Sequence, residues 1–109
     1  MKTLSRLLVL DVWLDCDLQN DHIALIEEYV KHRFTVVNSV DQVFTPYGLT
    51  KILILSESHC AIHTYPEHRY FSLDLFICKP ALDLEKIAEE LLSELPVAES
   101  RFKILNRGS

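Results

Sequence analysis

The chain has 109 residues, 49% of them hydrophobic and 25% charged, the balance of one globular domain. Its net charge of −5 provides no basic face to displace counterions from nucleic acid, and no apolar run nears the roughly 18 residues that a membrane span requires. Three cysteines, Cys16, Cys60 and Cys78, form no CxxC pair, so neither a disulfide framework nor a structural zinc site is expected, and the cytoplasm is the expected compartment.

The basic start, Met1 to Arg6, precedes Leu7-Leu8-Val9-Leu10, but that run is short and stops at Asp11, so it does not read as a signal peptide. Residues 4–14 alternate loosely and read as a first, central strand, broken by Asp15-Cys16-Asp17. Asp21 is the expected cap of a helix whose apolar positions are Ile23, Ile26 and Val30, ending near Lys31-His32-Arg33, where cations suit the negative end of the helix dipole. Residues 34–44 are rich in valine and aromatic side chains, and Thr45-Pro46-Tyr47-Gly48 is a turn. Strands are expected over 51–55, 60–65 and 70–77. Residues 81–95 carry the clearest helical stripe, from Leu84 to Leu95, with Asp83 as N-cap and Pro96 as stop. A last strand spans 101–105.

The order β-α-β-β-β-β-α-β suits an α+β fold: a two-layer α/β sandwich, a mainly antiparallel sheet with both helices on one face. The opposite face then needs a cover, and in so short a chain a second copy supplies it, so a dimer is expected.

The chemistry concentrates in Ser56 to Glu67, directly after the apolar run Ile52-Leu53-Ile54-Leu55. Two serines, two histidines, a cysteine and two carboxylates fall within these twelve residues. Three readings of the residues alone compete. One is a surface hairpin with chance polar side chains. Another is a metal site from His59, His63 and His68, disfavoured because Ile62, Thr64, Tyr65 and Pro66 call for extended chain. The third is a Ser/His or Cys/His nucleophile, with spacing unable to choose among Ser56, Ser58, Cys60 and Cys78.

The run Leu55-Ser-Glu-Ser-His-Cys-Ala-Ile-His-Thr-Tyr-Pro-Glu67 closely resembles the processing-site signature of the small prokaryotic S-adenosylmethionine decarboxylases, a SESH-x-x-IHT-[WY]-PE pattern. The resemblance extends upstream to Phe44-Thr45-Pro46-Tyr47-Gly48, downstream through Asp74 to Cys78, and more loosely to the N-terminus. It implies a proenzyme that cuts itself between Glu57 and Ser58, giving a β chain of residues 1–57 and an α chain of 58–109. In that chemistry the Ser58 hydroxyl attacks the preceding carbonyl, the resulting ester is expelled, and the dehydroalanine left behind hydrolyses to a pyruvoyl group. His63 occupies the position that moves protons during processing. The pyruvoyl ketone is the covalent cofactor, forming a Schiff base with the substrate. Cys78 stands at the proton donor's position, Phe44 and Tyr65 at those of the aromatics that sandwich adenine, and Glu67 at that of the carboxylate that binds ribose hydroxyls. The family's dimers agree with the pattern reading, and no metal is implied.

The chain departs from the family where Ile77-Cys78-Lys79-Pro80 replaces the usual Thr-Cys-Gly, and where Thr50 replaces a processing serine. Two other outcomes therefore stand beside the expected activity: a pyruvoyl-dependent ornithine or arginine decarboxylase, and a non-catalytic regulatory homologue. Retention of Phe44, Tyr65 and Glu67 argues against the former, and retention of Ser58, His63 and Cys78 against the latter.

Overall fold

Alternation in the strands sets the architecture. In β1 (Ser5–Leu14), Leu8, Leu10, Val12 and Leu14 are buried, while Leu7, Val9, Asp11 and Trp13 point the other way and are half-buried. The computed structural model describes residues 2–108. After β1 come α1 (Asn20–Arg33), β2 (Val36–Val43), β3 (Leu49–Leu55), β4 (Ser58–Tyr65), a 3-10 turn at Pro66–His68, β5 (Tyr70–Ile77), α2 (Leu84–Ser93) and β6 (Val97–Arg107). The six strands form one sheet in the order β2-β3-β4-β5-β1-β6, with every neighbouring pair antiparallel. Two helices and a six-stranded antiparallel sheet make this an α+β fold.

A single core cluster joins one set of alternating strand residues to the apolar stripes of the helices. From the sheet it takes Leu8, Leu10, Leu53, Cys60, Ile62, Phe71 and Leu73, among others; from the helices, Ile23, Ile26, Val30, Leu84, Ile87 and Leu91. Each fully buried aliphatic side chain contributes about 1.5–3 kcal/mol, so this cluster is the main stabilising term.

The two helices start differently. Asp83 caps α2 by accepting the Lys86 N–H at 3.0 Å, as its sequence suggests. The N-cap of α1 is Gln19 rather than Asp21: the Gln19 N–H donates to His22 Nδ1 at 2.9 Å, and the His22 N–H donates to the Gln19 carbonyl at 3.1 Å. Asp21 sits in the first turn instead, where its charge still favours the dipole.

One buried cation ties α1 to the sheet. Lys51, on the core side of β3 and 8% exposed, reaches Glu27 of α1 at 2.9 Å and Asp41 of β2 at 2.8 Å. Burial alone would lower its pKa, but the hydrogen bonds to the two carboxylates outweigh that and raise it. The hydrogen bond from Lys51 in turn lowers the pKa of Glu27.

Candidate active site

The tight link between β3 and β4 is a two-residue loop, Ser56-Glu57, closed by the pairing of Leu55 with Ser58. Glu57 has φ 63°, the left-handed region that costs a residue with a side chain about 1–2 kcal/mol. Ser58 is therefore the first residue of β4, immediately after a strained position. It is half-buried, and its Oγ accepts the backbone N–H of Cys78 at 3.2 Å. Antiparallel pairing of β4 with β5 (His59 opposite Phe76) carries Cys78, twenty positions along the chain, to the start of β4.

Farther along β4, His63 lies between Thr50 of β3 and Ser72 of β5. Its Nδ1 and the Thr50 hydroxyl share a hydrogen bond of 2.9 Å. Beside them opens a cavity of about 290 Å³, lined in part by Phe44, Tyr47, Thr50, His63, Tyr65 and Glu67. Phe44 and Tyr65 are 50% and 44% exposed, so both rings are open to solvent beside the cavity. The turn that presents Phe44 closes with the Phe44 N–H donating to the Gly48 carbonyl at 2.9 Å, and Gly48 holds φ 115°, which only glycine adopts readily. Glu67 is placed by the 3-10 turn that follows Tyr65.

The candidate residues thus fall into two groups at opposite ends of β4. Ser58 and Cys78 meet at one end; Phe44, His63, Tyr65 and Glu67 gather at the other. Five residues of extended strand put Ser58 and His63 about 16 Å apart along the chain. Their side chains also alternate: His59, Ala61, His63 and Tyr65 face away from the core, while Cys60, Ile62 and Thr64 face it. The five-residue spacing in sequence is therefore not proximity within one chain.

The other chemistry-bearing side chains of the stretch lie as follows. Cys60 is fully buried, and burial pushes its thiol up to about 12, so it stays protonated and inert near neutral pH. His59 stacks on Phe76 with ring centroids 5.5 Å apart. Among the described residues, no group of three or more His, Cys, Asp or Glu side chains is arranged to hold a metal ion. Tyr47 joins the cavity although its sequence signals only a turn.

The whole chain superposes on the crystal structure of the adenosylmethionine decarboxylase from Aquifex aeolicus VF5 with a TM-score of 0.82 and 26% identity, covering 94% of that chain. That likeness defines the class of fold. The family model for S-adenosylmethionine decarboxylase matches residues 17–108. An S-adenosylmethionine decarboxylase proenzyme of Thermotoga petrophila is 39% identical over 101 residues, 87% of this chain and 77% of that protein. Another, from Shouchella clausii, is 33% identical over 99% of this chain and 88% of that protein. The chain belongs to the S-adenosylmethionine decarboxylase family.

Proposed function

We propose that this chain is a self-processing, pyruvoyl-dependent decarboxylase of S-adenosylmethionine, a carboxy-lyase that supplies the aminopropyl donor for spermidine synthesis. The observation that carries the reading is the junction at Glu57–Ser58: a strained residue, then a serine whose hydroxyl oxygen is held by the Cys78 N–H. The Ser58 Oγ attacks the Glu57 carbonyl carbon, the Glu57–Ser58 C–N bond breaks, and the amide becomes an ester. Removal of the Ser58 α-proton then expels the Glu57 carboxylate, which ends chain 1–57. Water releases ammonia from the remaining dehydroalanine and leaves chain 58–109 with a pyruvoyl terminus.

The surroundings of Ser58 fit a group made from that residue: a half-buried position, a backbone donor and an exposed thiol at Cys78. A pyruvoyl group at that position would supply an electrophilic carbonyl for the substrate's amine and a sink for the electron pair left by departing carbon dioxide. Cys78 then returns a proton to the substrate's α-carbon. Phe44 and Tyr65 stack on adenine and place π faces near the sulfonium, and Glu67 accepts hydrogen bonds from the ribose hydroxyls.

The two groups of residues are about 16 Å apart within one chain, so the site is completed by a second copy. Both helices cover one face of the sheet. The other carries half-buried Leu7, Val9, Trp13, Ile52, Ala61 and Phe76, and this apolar surface supports its reading as the dimer interface. A two-fold contact through that face packs the same surface of each copy against the other. With its cysteines unpaired and no described helix long and apolar enough to cross a membrane, the proposed compartment is the cytoplasm.

Carbon dioxide release from carboxyl-labelled S-adenosylmethionine, ornithine and arginine tests the substrate. Release from S-adenosylmethionine alone is expected, because a free amino acid has no ring for Phe44 and Tyr65. Release from ornithine or arginine alone overturns the substrate assignment, and no release from any of the three favours a regulatory role.

A further inference from the structure

Tyr65 has one covered flank and one open flank. On the β3 side it fronts the cavity shared with Phe44, Thr50 and His63. On the β5 side its cross-strand partner is Tyr70, stacked with ring centroids 5.3 Å apart and planes at 28°. Tyr70 is itself fixed from two directions. Its hydroxyl donates to Asp11 Oδ1 at 2.6 Å, and its ring meets Trp13 of β1 at 5.0 Å. Trp13 in turn lies under the Arg101 guanidinium of β6 at 4.9 Å. A row of three rings thus crosses three adjacent strands on the face away from the core, with Arg101 of β6 at one end and the cavity wall at the other.

We propose that Tyr70 is a positioning residue for substrate binding, acting through Tyr65. The proposal rests on the reading of Tyr65 as an adenine-stacking side chain. An aromatic side chain that is 44% exposed rotates freely unless something fills one flank. Tyr70 fills that flank, and the Asp11 carboxylate locks Tyr70, so the opposite face of Tyr65 is presented before the substrate arrives. A preset ring face reduces the ordering cost of binding. Burial, reinforced by the hydrogen bond to Asp11, pushes the Tyr70 hydroxyl up to about 12, so it stays protonated and donating throughout the range in which the enzyme is assayed. Tyr70 does not line the cavity, so its effect runs through the partner ring.

The test is a double-mutant cycle read in steady-state decarboxylation of S-adenosylmethionine by the processed enzyme. Tyr65→Leu raises KM about tenfold and Tyr70→Leu about fivefold, each with kcat within about twofold of the parent. Tyr70→Phe keeps the ring, drops the bond to Asp11 and raises KM about twofold, which keeps the proposal testable if the leucine variant fails to fold. In the Tyr65→Leu background, neither Tyr70 change raises KM further. Independent, multiplying effects of Tyr65 and Tyr70 overturn the proposal, as does a loss of kcat at constant KM in the Tyr70 variants. An unchanged KM in Tyr65→Leu removes the stacking role of Tyr65, and this proposal with it.

Discussion

The backbone N–H of Cys78 donates to the hydroxyl oxygen of Ser58 at 3.2 Å, joining two residues twenty positions apart in the chain. The donor is main chain, so Cys78 holds Ser58 through its backbone and leaves the thiol free for a separate task. Cys78→Ala therefore keeps the backbone bond to Ser58 while deleting the thiol proposed as the proton donor. The variant is expected to cut itself normally, with kcat for decarboxylation lower by about 10²–10⁴, the usual contribution of a general acid. Gel analysis and carbon dioxide release check the two halves of this prediction separately; an unchanged kcat excludes Cys78 as the donor.

His63 and Thr50 on the neighbouring strand share a 2.9 Å hydrogen bond, and His63 is the residue proposed to move protons in processing. His63→Ala is expected to slow self-cleavage by about 10²–10⁴. Thr50→Val keeps the shape and loses the hydroxyl, so cleavage slows only about three- to tenfold, the worth of one ordinary hydrogen bond. The time course of chain separation on denaturing gels measures both. Equal rates in Thr50→Val and the parent show that the hydroxyl does not orient His63.

Phe44 is 50% exposed at the edge of the cavity, so truncating it costs little stability. Phe44→Ala is expected to raise KM for S-adenosylmethionine about two- to tenfold, in line with one aromatic stacking contact, with a melting temperature close to the parent's. A large fall in melting temperature, with KM unchanged, assigns Phe44 to packing instead.

Lys51, Glu27 and Asp41 give the fold an acid-sensitive element. The hydrogen bond from Lys51 holds Glu27 below its ordinary 4.5, so the folded state binds this proton less readily than the unfolded chain. The resulting stability is fully present above about pH 4.5 and is lost as the pH falls through the depressed value. Lys51→Met is expected to lower stability near neutrality by about 1–2 kcal/mol, since the freed carboxylates can rehydrate, and to flatten the acid limb. Urea denaturation at a series of pH values measures this; parallel acid limbs in parent and variant exclude the linkage.

The element order is legible because both periods are written plainly, two in Leu8, Leu10, Val12 and Leu14, and close to 3.6 in Leu84, Ile87, Ala88 and Leu91. Boundaries are less so. The last strand is expected over 101–105, yet it begins at Val97, and Glu99 pairs with Trp13 across the β1–β6 ladder. Lys51 opens the strand expected over 51–55, and only the arrival of Glu27 from α1 and Asp41 from β2 makes its burial tolerable. The motif puts Ser58 and His63 side by side in text, but an extended strand turns five residues into distance. The row Tyr65, Tyr70, Trp13 is invisible in sequence because it depends on the registers of two strand pairs.

Intact mass of the purified protein tests the central claim most directly, alongside Ser58→Ala. Two chains are expected from the parent, residues 1–57 and a 58–109 fragment whose mass shows pyruvoyl in place of its amino-terminal serine, and one uncut chain from Ser58→Ala. A parent that stays full-length, or a Ser58→Ala variant that still divides at this bond, contradicts the assignment of Ser58 as the residue that becomes the cofactor.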